Sequence, residues 1–401
     1  MLDFDTARDQ LLAAAEPIRQ TELVPLTEGL GRILSSSITS PIDVPGFDNS
    51  AMDGYALCIS DFNHIPEAFS VVQRIAAGQT GEPLAPNQAA RIFTGAPVPE
   101  HANVVVPQEH TLATDSQVRL TQKVMPSQHI RRRGEDIGAG SMIIAPGTRL
   151  TPAHLALAAS VGVSQLQVHA KLKVAILFTG DELTEPGQPL APGAIYNSNR
   201  YAIRALLETM GCAVTDLGIV RDAAQATRDA LQQASAIADV IITCGGVSVG
   251  EEDHVKAAVQ ALGQLNLWQI AMKPGKPLAY GKVAHADFIG LPGNPVSAFV
   301  TFVLMARPFL FKRMGLTPLH SSTIPAVAGF DWLKPDRRRE FLRVGFERNE
   351  QGVSVLSIWP NQGSGVMSSV AWADGLVDVP PNTVIRKGDT VNYLPFSDLV
   401  G

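Results

Sequence analysis

The stretch LKVAILFTGDE, residues 172–182, decides the fold, because a continuous apolar run ends there at a glycine and two acids. Such a run bounded by turn residues is typical of a strand that is covered on both faces, and it predicts a strand over 172–178. Helical periodicity follows over 199–210, and Gly211 is the expected stop. Strand and helix then alternate as far as residue 311. Repeated βα units predict a parallel sheet with helices on both faces, which binds ligands beyond the carboxyl ends of its strands.

The same pattern gives the remaining elements of this α/β region. Asn294 is the expected N-cap of its last helix, and Pro295 suits the first helical position. The periodicity predicts strands over 213–220, 240–243, 267–272 and 287–291, and helices over 222–237, 253–262 and 296–311.

The sequence on either side of the α/β region has a different texture. Residues 5–19 predict a helix that Asp5 or Thr6 caps, and residues 151–162 predict a second, short helix. From about 36 to 145, and again from 321 to 401, short apolar runs alternate with Pro and Gly. These two segments therefore predict small β domains.

Length and composition limit the possible functions. A chain of 401 residues with 45% hydrophobic residues predicts about two or three domains, and its net charge of −6 argues against general nucleic-acid binding. Cys58, Cys212 and Cys244 form neither a zinc motif nor a disulfide framework, which favours a reducing cytoplasm. The N-terminus lacks the pattern of a signal peptide, and we expect the longest apolar stretch, 296–311, to be too short and interrupted to span a membrane.

Several Gly- and Pro-rich loops follow the predicted strands. Glycines in GGVSVG (245–250) let backbone N–H groups approach an anion, and KPGKP (273–277) holds two lysines in a stiff turn. Acids stand nearby in TGDE (179–182) and EED (251–253), and acids beside an anion site predict a divalent cation. PGNP (292–295) offers a further helix N-terminus. Each loop is also compatible with a simple turn or cap.

Further polar loops lie outside the α/β region. DNSAMDGY (48–55) and RRRGED (131–136) lie in the first β segment; RRR (337–339), Arg343 and QGSG (362–365) lie in the second. Together the loops predict a site for a polyanionic ligand that uses acids, a metal and fixed lysines. Residue types and spacing lead no further.

Seven motifs follow one another along the chain: PGFDNSAMDGY (45–55), TGAP (94–97), RRRGED (131–136), TGDEL (179–183), GGVSVG (245–250), KPGKP (273–277) and LPGNP (291–295). In this order they resemble the MoeA-type molybdopterin molybdenumtransferase family, which is related to the gephyrin E domain. The resemblance implies an enzyme of molybdenum cofactor biosynthesis. It would take adenylylated molybdopterin and molybdate, cleave the phosphoanhydride with Mg²⁺, insert molybdenum and release AMP.

The resemblance also implies an elongated, multidomain α/β plus β fold. Its parts are an N-terminal helix (1–20) on the α/β domain, a linker domain (21–40 and 141–170), a β-rich second domain (41–140), a doubly wound molybdopterin-binding α/β domain (171–318) and a C-terminal β-barrel (319–401). A cytoplasmic homodimer is implied, with a cleft between opposite chains, as is contact with the molybdopterin adenylyltransferase. Neither nucleic acid nor membrane is an expected partner.

Family roles carry over residue by residue. Gln269 departs from the pattern, because some bacterial members have Lys there. The implied catalytic residues are Asp53, Asp136 and Asp222; the metal ligands are Glu182, Asp222 and Asp253; the substrate-binding residues are Thr94, Arg131, Glu182, Gly245, Gly246, Ser248, Lys273, Lys276, Pro292, Pro295, Arg343 and Ser364.

Other functions remain open at the level of sequence. One is the adenylyltransferase of the same pathway, which shares the α/β domain, although the length and the β-region motifs argue against it. Another is a non-catalytic scaffold. The sequence does not distinguish molybdate from tungstate, or water from a molybdate oxygen as the nucleophile.

Overall fold

The apolar run at 172–182 forms the strand Lys173–Thr179, which is buried from its second residue onward and pairs on both sides in parallel. It belongs to a six-stranded sheet, here called the central sheet. A computed structural model describes residues 1–246, 254–317, 323–348 and 352–400, except the side chains of Leu267 and Trp268. The strand order of the central sheet is Ala213–Val220, Lys173–Thr179, Val240–Cys244, Ala286–Leu291, Pro277–Val283 and Gly263–Gln269.

The prediction of a parallel sheet was wrong for one strand. The first four strands are parallel. Pro277–Val283 pairs antiparallel with both Ala286–Leu291 and Gly263–Gln269, so it alone runs in the opposite direction and Gly263–Gln269 runs in the same direction as the first four. Pro277–Val283 was not predicted, and the strand expected over 267–272 instead ends at Gln269. Glycine in a strand interior usually marks a close approach of two backbones. At Gly281 an added Cβ would lie 2.1 Å from the Gln264 carbonyl oxygen, so the pairing of Pro277–Val283 with Gly263–Gln269 requires glycine there. The same glycine interrupts the apolar pattern by which a strand is predicted.

Helices cover both faces of the central sheet, as the alternation predicted. Alternate residues of Lys173–Thr179 enter two hydrophobic clusters, one with Ser198–Met210 and Pro295–Arg313, the other with Ala224–Ile237 and His254–Leu262. Gly211 ends its helix at φ 88°, as expected.

The long helix Pro295–Arg313 has a π-helical segment at Phe302–Ala306, between the α-helical turns Pro295–Thr301 and Arg307–Arg313. By length and composition it is apolar enough to cross a membrane, but 78% of its apolar window is buried inside the structure. Burial of that extent is typical of a core helix.

The first helix is shorter than expected. It spans Phe4–Ala14 rather than 5–19, and Asp3, not Asp5 or Thr6, caps it. Pro17 explains the early end, since the residue before a proline disfavours the helical conformation. The helix packs into the same cluster as Pro295–Arg313, and its Phe4 ring lies 5.1 Å from the ring of Phe341.

Residues 20–170 form sheets without long helices. Short antiparallel pairs are Thr21–Pro25 with Gln165–His169, Ile38–Thr39 with Met142–Ile144, and Asn49–Ser50 with Ile130–Arg131; one helix is Pro152–Ser160, and Leu26–Glu28 and Gln108–His110 are 3₁₀ turns. A six-stranded sheet has the order Val104–Pro107, Gly54–Leu57, Gln88–Ile92, Phe69–Ile75, Gln117–Leu120 and Thr111–Ala113. The domain boundaries drawn from the sequence stay predictions.

The C-terminal residues form a further sheet, here called the C-terminal sheet. Its first strand, Met272–Lys273, comes from the α/β region and brings Lys273 beside Glu340. The order is Met272–Lys273, Arg339–Arg348, Gly375–Val379, Thr390–Pro395 and Ile324–Val327, with Ser354–Ile358 also on Arg339–Arg348; Met367–Trp372 and Phe396–Val400 are helical. An isolated bridge joins Ala328 and Leu356. A closed barrel stays a prediction.

Candidate functional site

A cavity of about 710 Å³ lies at the carboxyl edge of the central sheet, between that edge and the C-terminal sheet. This is the edge at which a sheet of parallel strands binds its ligands. The sequence-predicted residues that line it are Glu182, Gly245, Gly246, Lys273, Lys276, Pro292, Pro295 and Ser364.

The three cations of the cavity differ in their partners. Lys273 Nζ lies 2.8 Å from Glu340 Oε1 and 3.5 Å from Asp336 Oδ2, and Arg338 Nη2 lies 2.8 Å from the same Asp336 oxygen. The hydrogen bond from Arg338 holds the pKa of Asp336 well below its usual range. Lys276 is exposed, and no ion pair involves it within the described ranges. Of these three cations, Lys276 is therefore the one without a carboxylate of the described residues within ion-pair distance.

Two glycines and a helix N-terminus also line the cavity. Gly245 and Gly246 adopt positive φ angles of 90° and 64° at the end of Val240–Cys244. A Cβ on Gly245 would lie 2.8 Å from the Thr179 carbonyl oxygen, so only glycine fits there. Asn294 is the N-cap of the long helix, as predicted, but its side chain makes no capping hydrogen bond within the described residues. The Asn294 side chain therefore satisfies none of the first-turn N–H groups, and the Val296 N–H donates instead to the Ser364 carbonyl.

The C-terminal residues contribute the loop around Ser364 to the cavity, and Arg343 supports that loop. Ser364 lines the cavity, and its carbonyl accepts a hydrogen bond of 2.9 Å from the Val296 N–H. Arg343 lies behind this loop rather than in the lining and is only 1% exposed. Its guanidinium donates to the Gly363 carbonyl at 3.1 Å and to Ser369 Oγ at 3.1 Å. Burial lowers the pKa of Arg343 to about 10, and the contacts fix the loop's position.

A second group of predicted residues lies on the β-rich sheets, away from the cavity. Asp53 Oδ1 accepts hydrogen bonds of 2.8 Å from both the N–H and the hydroxyl of Thr94. These bonds, the backbone one first, lower the pKa of Asp53. Arg131 and Asp136 are exposed. None of these four residues lines the cavity, so the chain carries them on a separate surface.

Comparison with known proteins identifies the family. The molybdopterin molybdenumtransferase of Haemophilus influenzae is 41% identical over 408 residues, which cover 100% of both chains. This chain belongs to the molybdopterin molybdenumtransferase family. Three family models match it in chain order: the MoeA N-terminal region (domain I and II) over residues 2–162, the probable molybdopterin binding domain over 175–312, and the MoeA C-terminal region (domain IV) over 325–396.

Other molybdopterin molybdenumtransferase relatives agree. Molybdopterin molybdenumtransferase 2 of Mycobacterium tuberculosis is 37% identical over 386 residues, which cover 94% of each chain. The crystal structure of the molybdopterin biosynthesis MoeA protein from Pyrococcus horikoshii matches with a TM-score of 0.85 at 27% identity, and the match covers 98% of this chain and 100% of that one. The multidomain α/β fold with separate sheets is thus the fold of this family.

Of the three acids predicted to bind metal, the structure describes Glu182 and Asp222. Glu182 lines the cavity, and the Asp222 N–H donates to Asp181 Oδ1 at 3.3 Å, so the loops after two neighbouring strands meet. Asp253 and Ser248, both predicted site residues, lie outside the described residues. Among the residues that are described, no three His, Cys, Asp or Glu side chains lie close enough to hold a metal ion.

Sequence reasoning missed several residues of the cavity. Asn197 and Asn199 line it, and Asn199 Nδ2 donates to the Gly293 carbonyl at 2.7 Å. Thr179 and Arg338, which belong to the predicted loops TGDE (179–182) and RRR (337–339), line it as well. The segment Asn197–Asn199 carried a usable signal, because residues that cap helices stand there before a helical pattern, at an edge where ligands bind.

Proposed function

We propose that this chain inserts molybdenum from molybdate into adenylylated molybdopterin, cleaving the phosphoanhydride in a Mg²⁺-dependent step, releasing AMP and giving molybdenum cofactor. Full-length identity to molybdopterin molybdenumtransferases supports the reaction class. The observation that carries the finer proposal is Lys276, a cation without a carboxylate partner among the described residues, in a cavity at the carboxyl edge of the sheet.

Charge explains why this lysine matters. Molybdate and the phosphoanhydride are anions, whereas the protein carries a net charge of −6. Such ligands need local compensation, and a lysine acts on them as a compact point charge. Lys273 is already held by Glu340 and Asp336. Lys276 is therefore the lysine that binds the incoming oxyanion.

The acidic loops fit a magnesium ion by their chemistry. Carboxylate oxygens are the ligands that Mg²⁺ prefers, and the Asp181 and Asp222 loops meet at the edge where the anhydride is proposed to bind. We assign Glu182, Asp222 and Asp253 to hold the ion. When bound, it supplies charge neutralisation on the anhydride and on departing AMP.

The remaining assignments complete the proposal. Asp53 and Asp136 would orient an attacking oxygen or protonate a released oxo group, and Thr94 holds Asp53 ionised. Because these residues lie away from the cavity, they would reach it from the other chain of a homodimer, together with Arg131. Arg343 would act on molybdate through the Ser364 loop. We place the enzyme in the cytoplasm, in contact with the adenylyltransferase that supplies its substrate.

The test is a reconstituted reaction. The purified chain is incubated with adenylylated molybdopterin, Mg²⁺ and molybdate, and AMP is followed over time, with tungstate in a parallel reaction. The proposal expects AMP release that needs both the oxometallate and Mg²⁺. ATP-dependent adenylylation of molybdopterin would identify the adenylyltransferase instead, and a dimer that never releases AMP would support a scaffold.

A further inference from the structure

Two arginines lie side by side on the six-stranded sheet of residues 54–120, here called the N-terminal sheet. Arg74 and Arg91 are register partners on neighbouring parallel strands, so their side chains lie on one face of strands that are about 4.8 Å apart. The guanidinium carbon lies 4.5 Å from the centroid of the Phe93 ring for Arg74 and 4.9 Å for Arg91. Among the residues that the structure describes, no carboxylate forms an ion pair with either arginine. Like charges at paired positions repel each other, so the fold retains this pair at a cost.

A β-bulge brings Arg74 to this position. The register of the two strands shifts by one residue at Val72, which is an extra residue in its strand. Without that shift the neutral Gln73 would lie beside Arg91, and Arg74 would lie on the opposite face, since side chains alternate along a strand. Bulges are rare in parallel pairs, and next to functional sites they redirect a side chain. The shift therefore places a second positive charge beside the first, where an uncharged amide would otherwise lie.

Both guanidinium groups keep N–H donors that a ligand can use. Arg91 donates to the Gly54 carbonyl at 3.1 Å and to Gln108 Oε1 at 2.6 Å, which fixes the group and occupies only part of its donors. Arg74 is exposed, and within the described ranges its side chain makes no hydrogen bond. The shared contact with Phe93 limits the positions of both groups. Planar guanidinium groups are the cations that best match the oxygens of a phosphate.

The arginine pair lies beside a residue of the proposed reaction. Hydrogen bonds from Thr94, and after them the charge of Arg91, lower the pKa of Asp53, so its carboxylate lies within electrostatic range of Arg91. Two positive charges and one negative charge leave this surface with a net positive charge. In the proposed function Asp53 reaches the anhydride in the cavity of the other chain. An anion that Asp53 approaches is therefore also within reach of Arg91.

We infer that Arg74 and Arg91 bind the phosphoanhydride of the substrate held in the other chain's cavity, so that each cavity receives positive charge from both chains. This inference rests on the proposed function, which brings the Asp53 surface to that cavity. Lys276 then serves molybdate, and the arginine pair serves the anhydride. Molybdate is the other oxyanion of the reaction, and the experiment separates the two.

The test variants are Arg74→Gln, which removes the charge, and Arg74→Lys, which keeps it. Neither removes a side-chain hydrogen bond of the described residues, so the sheet should fold normally. The matched control is Arg119→Gln. Arg119 is exposed on the same sheet, but it is paired with Glu67 at 2.9 Å.

Four quantities are measured for each protein: the dissociation constant for AMP, KM for adenylylated molybdopterin, KM for molybdate and the midpoint of urea unfolding. Arg74→Gln should raise the first two by about 5- to 20-fold, below the full value of a charged hydrogen bond because Arg74 is exposed. KM for molybdate stays unchanged, and the unfolding midpoint stays or rises because repulsion is relieved. Arg74→Lys should return the first two to within about threefold of the native values. Arg119→Gln should match the native chain throughout.

Mixed dimers test whether the pair acts on the other chain. A Lys276→Gln chain is co-expressed with a chain that carries both Arg74→Gln and Arg91→Gln. In a mixed dimer, one cavity then combines an intact Lys276 with the intact arginines of the other chain. At limiting substrate the mixture should release AMP faster than either parent protein. A mixture no faster than its parents would contradict action on the other chain and overturn the inference.

A dissociation constant for AMP within about twofold of the native value in Arg74→Gln, with normal AMP release, would also overturn the inference and leave the proposed function standing. So would a rise in KM for molybdate alone, because the pair would then bind the other oxyanion. If the native chain released no AMP, the proposed function and the inference would both fail.

Discussion

The two lysines of the KPGKP turn are expected to respond differently to the same substitution. Lys276→Gln removes a charge that no carboxylate of the described residues compensates. Lys273→Gln removes the partner of Glu340, whose carboxylate is 2% exposed. The first change should therefore reduce the use of molybdate at constant stability. The second should destabilise the contact between the α/β region and the C-terminal sheet.

The magnitudes follow from the burial of each partner. A hydrogen bond to a charged group contributes about 1.5–3 kcal/mol, so Lys276→Gln should raise KM for molybdate by roughly 10- to 150-fold. Breaking a buried ion pair costs about 3–5 kcal/mol. Lys273 itself is 40% exposed and Glu340 keeps a hydrogen bond of 2.9 Å from Trp332 Nε1, so solvent and this bond reduce the loss to about 1–3 kcal/mol.

The assays are urea unfolding and AMP release against molybdate concentration. Lys282→Gln is the control, because Lys282 is exposed on the adjoining strand and does not line the cavity. Equal effects of the two KPGKP substitutions on stability and on KM would refute the distinction between a paired and an unpaired lysine. So would a Lys276→Gln protein that uses molybdate as the native chain does.

Three further predictions concern acid stability, a glycine turn and the metal. The pKa of Asp336 lies below its ordinary value of 3.8, so its ionised carboxylate stabilises the fold above pH 3.8 and this contribution is lost as the pH falls below that value. The free energy of unfolding in urea should therefore depend less on pH in this acidic range for Asp336→Asn than for the native chain. Gly211→Ala should lower the free energy of unfolding by about 1–2 kcal/mol, because Gly211 has a φ angle of 88° but open space around its Cα. Gly245→Ala should lower it further, because the added Cβ would also meet the Thr179 carbonyl oxygen. The double substitution Asp222→Asn and Asp253→Asn should abolish Mg²⁺-dependent AMP release. Unchanged turnover would exclude Asp222 and Asp253 as metal ligands.

The sequence predicted the parts of the fold that local burial determines. Buried parallel strands such as Lys173–Thr179 are continuous apolar runs, and helix ends such as Gly211 need a particular residue type. The strand Pro277–Val283 was not predicted, because it contains a proline and a glycine, which are typical of loops. The first helix was predicted to be too long, because apolar residues continue at helical spacing to Ile18 although Pro17 ends the helix earlier.

The candidate site was predicted in its loops but not in its pairings. Motif glycines and lysines line the cavity because the carboxyl ends of strands meet at one edge. That Glu340 holds Lys273, or that Arg343 lies behind the loop and not in the lining, depends on contacts between the α/β region and the C-terminal sheet. Such contacts leave no periodic signal in the sequence.

The central claim, that an uncompensated lysine in this cavity binds the oxyanion, is tested most directly by locating a heavy oxyanion. Crystals of the native chain and of Lys276→Gln are soaked in tungstate, and anomalous scattering locates the metal. We predict a peak in the cavity with a tungstate oxygen at hydrogen-bond distance from Lys276 Nζ, and its loss in the variant. A cavity without tungsten in the native crystals, or a peak that persists in Lys276→Gln, would contradict the account.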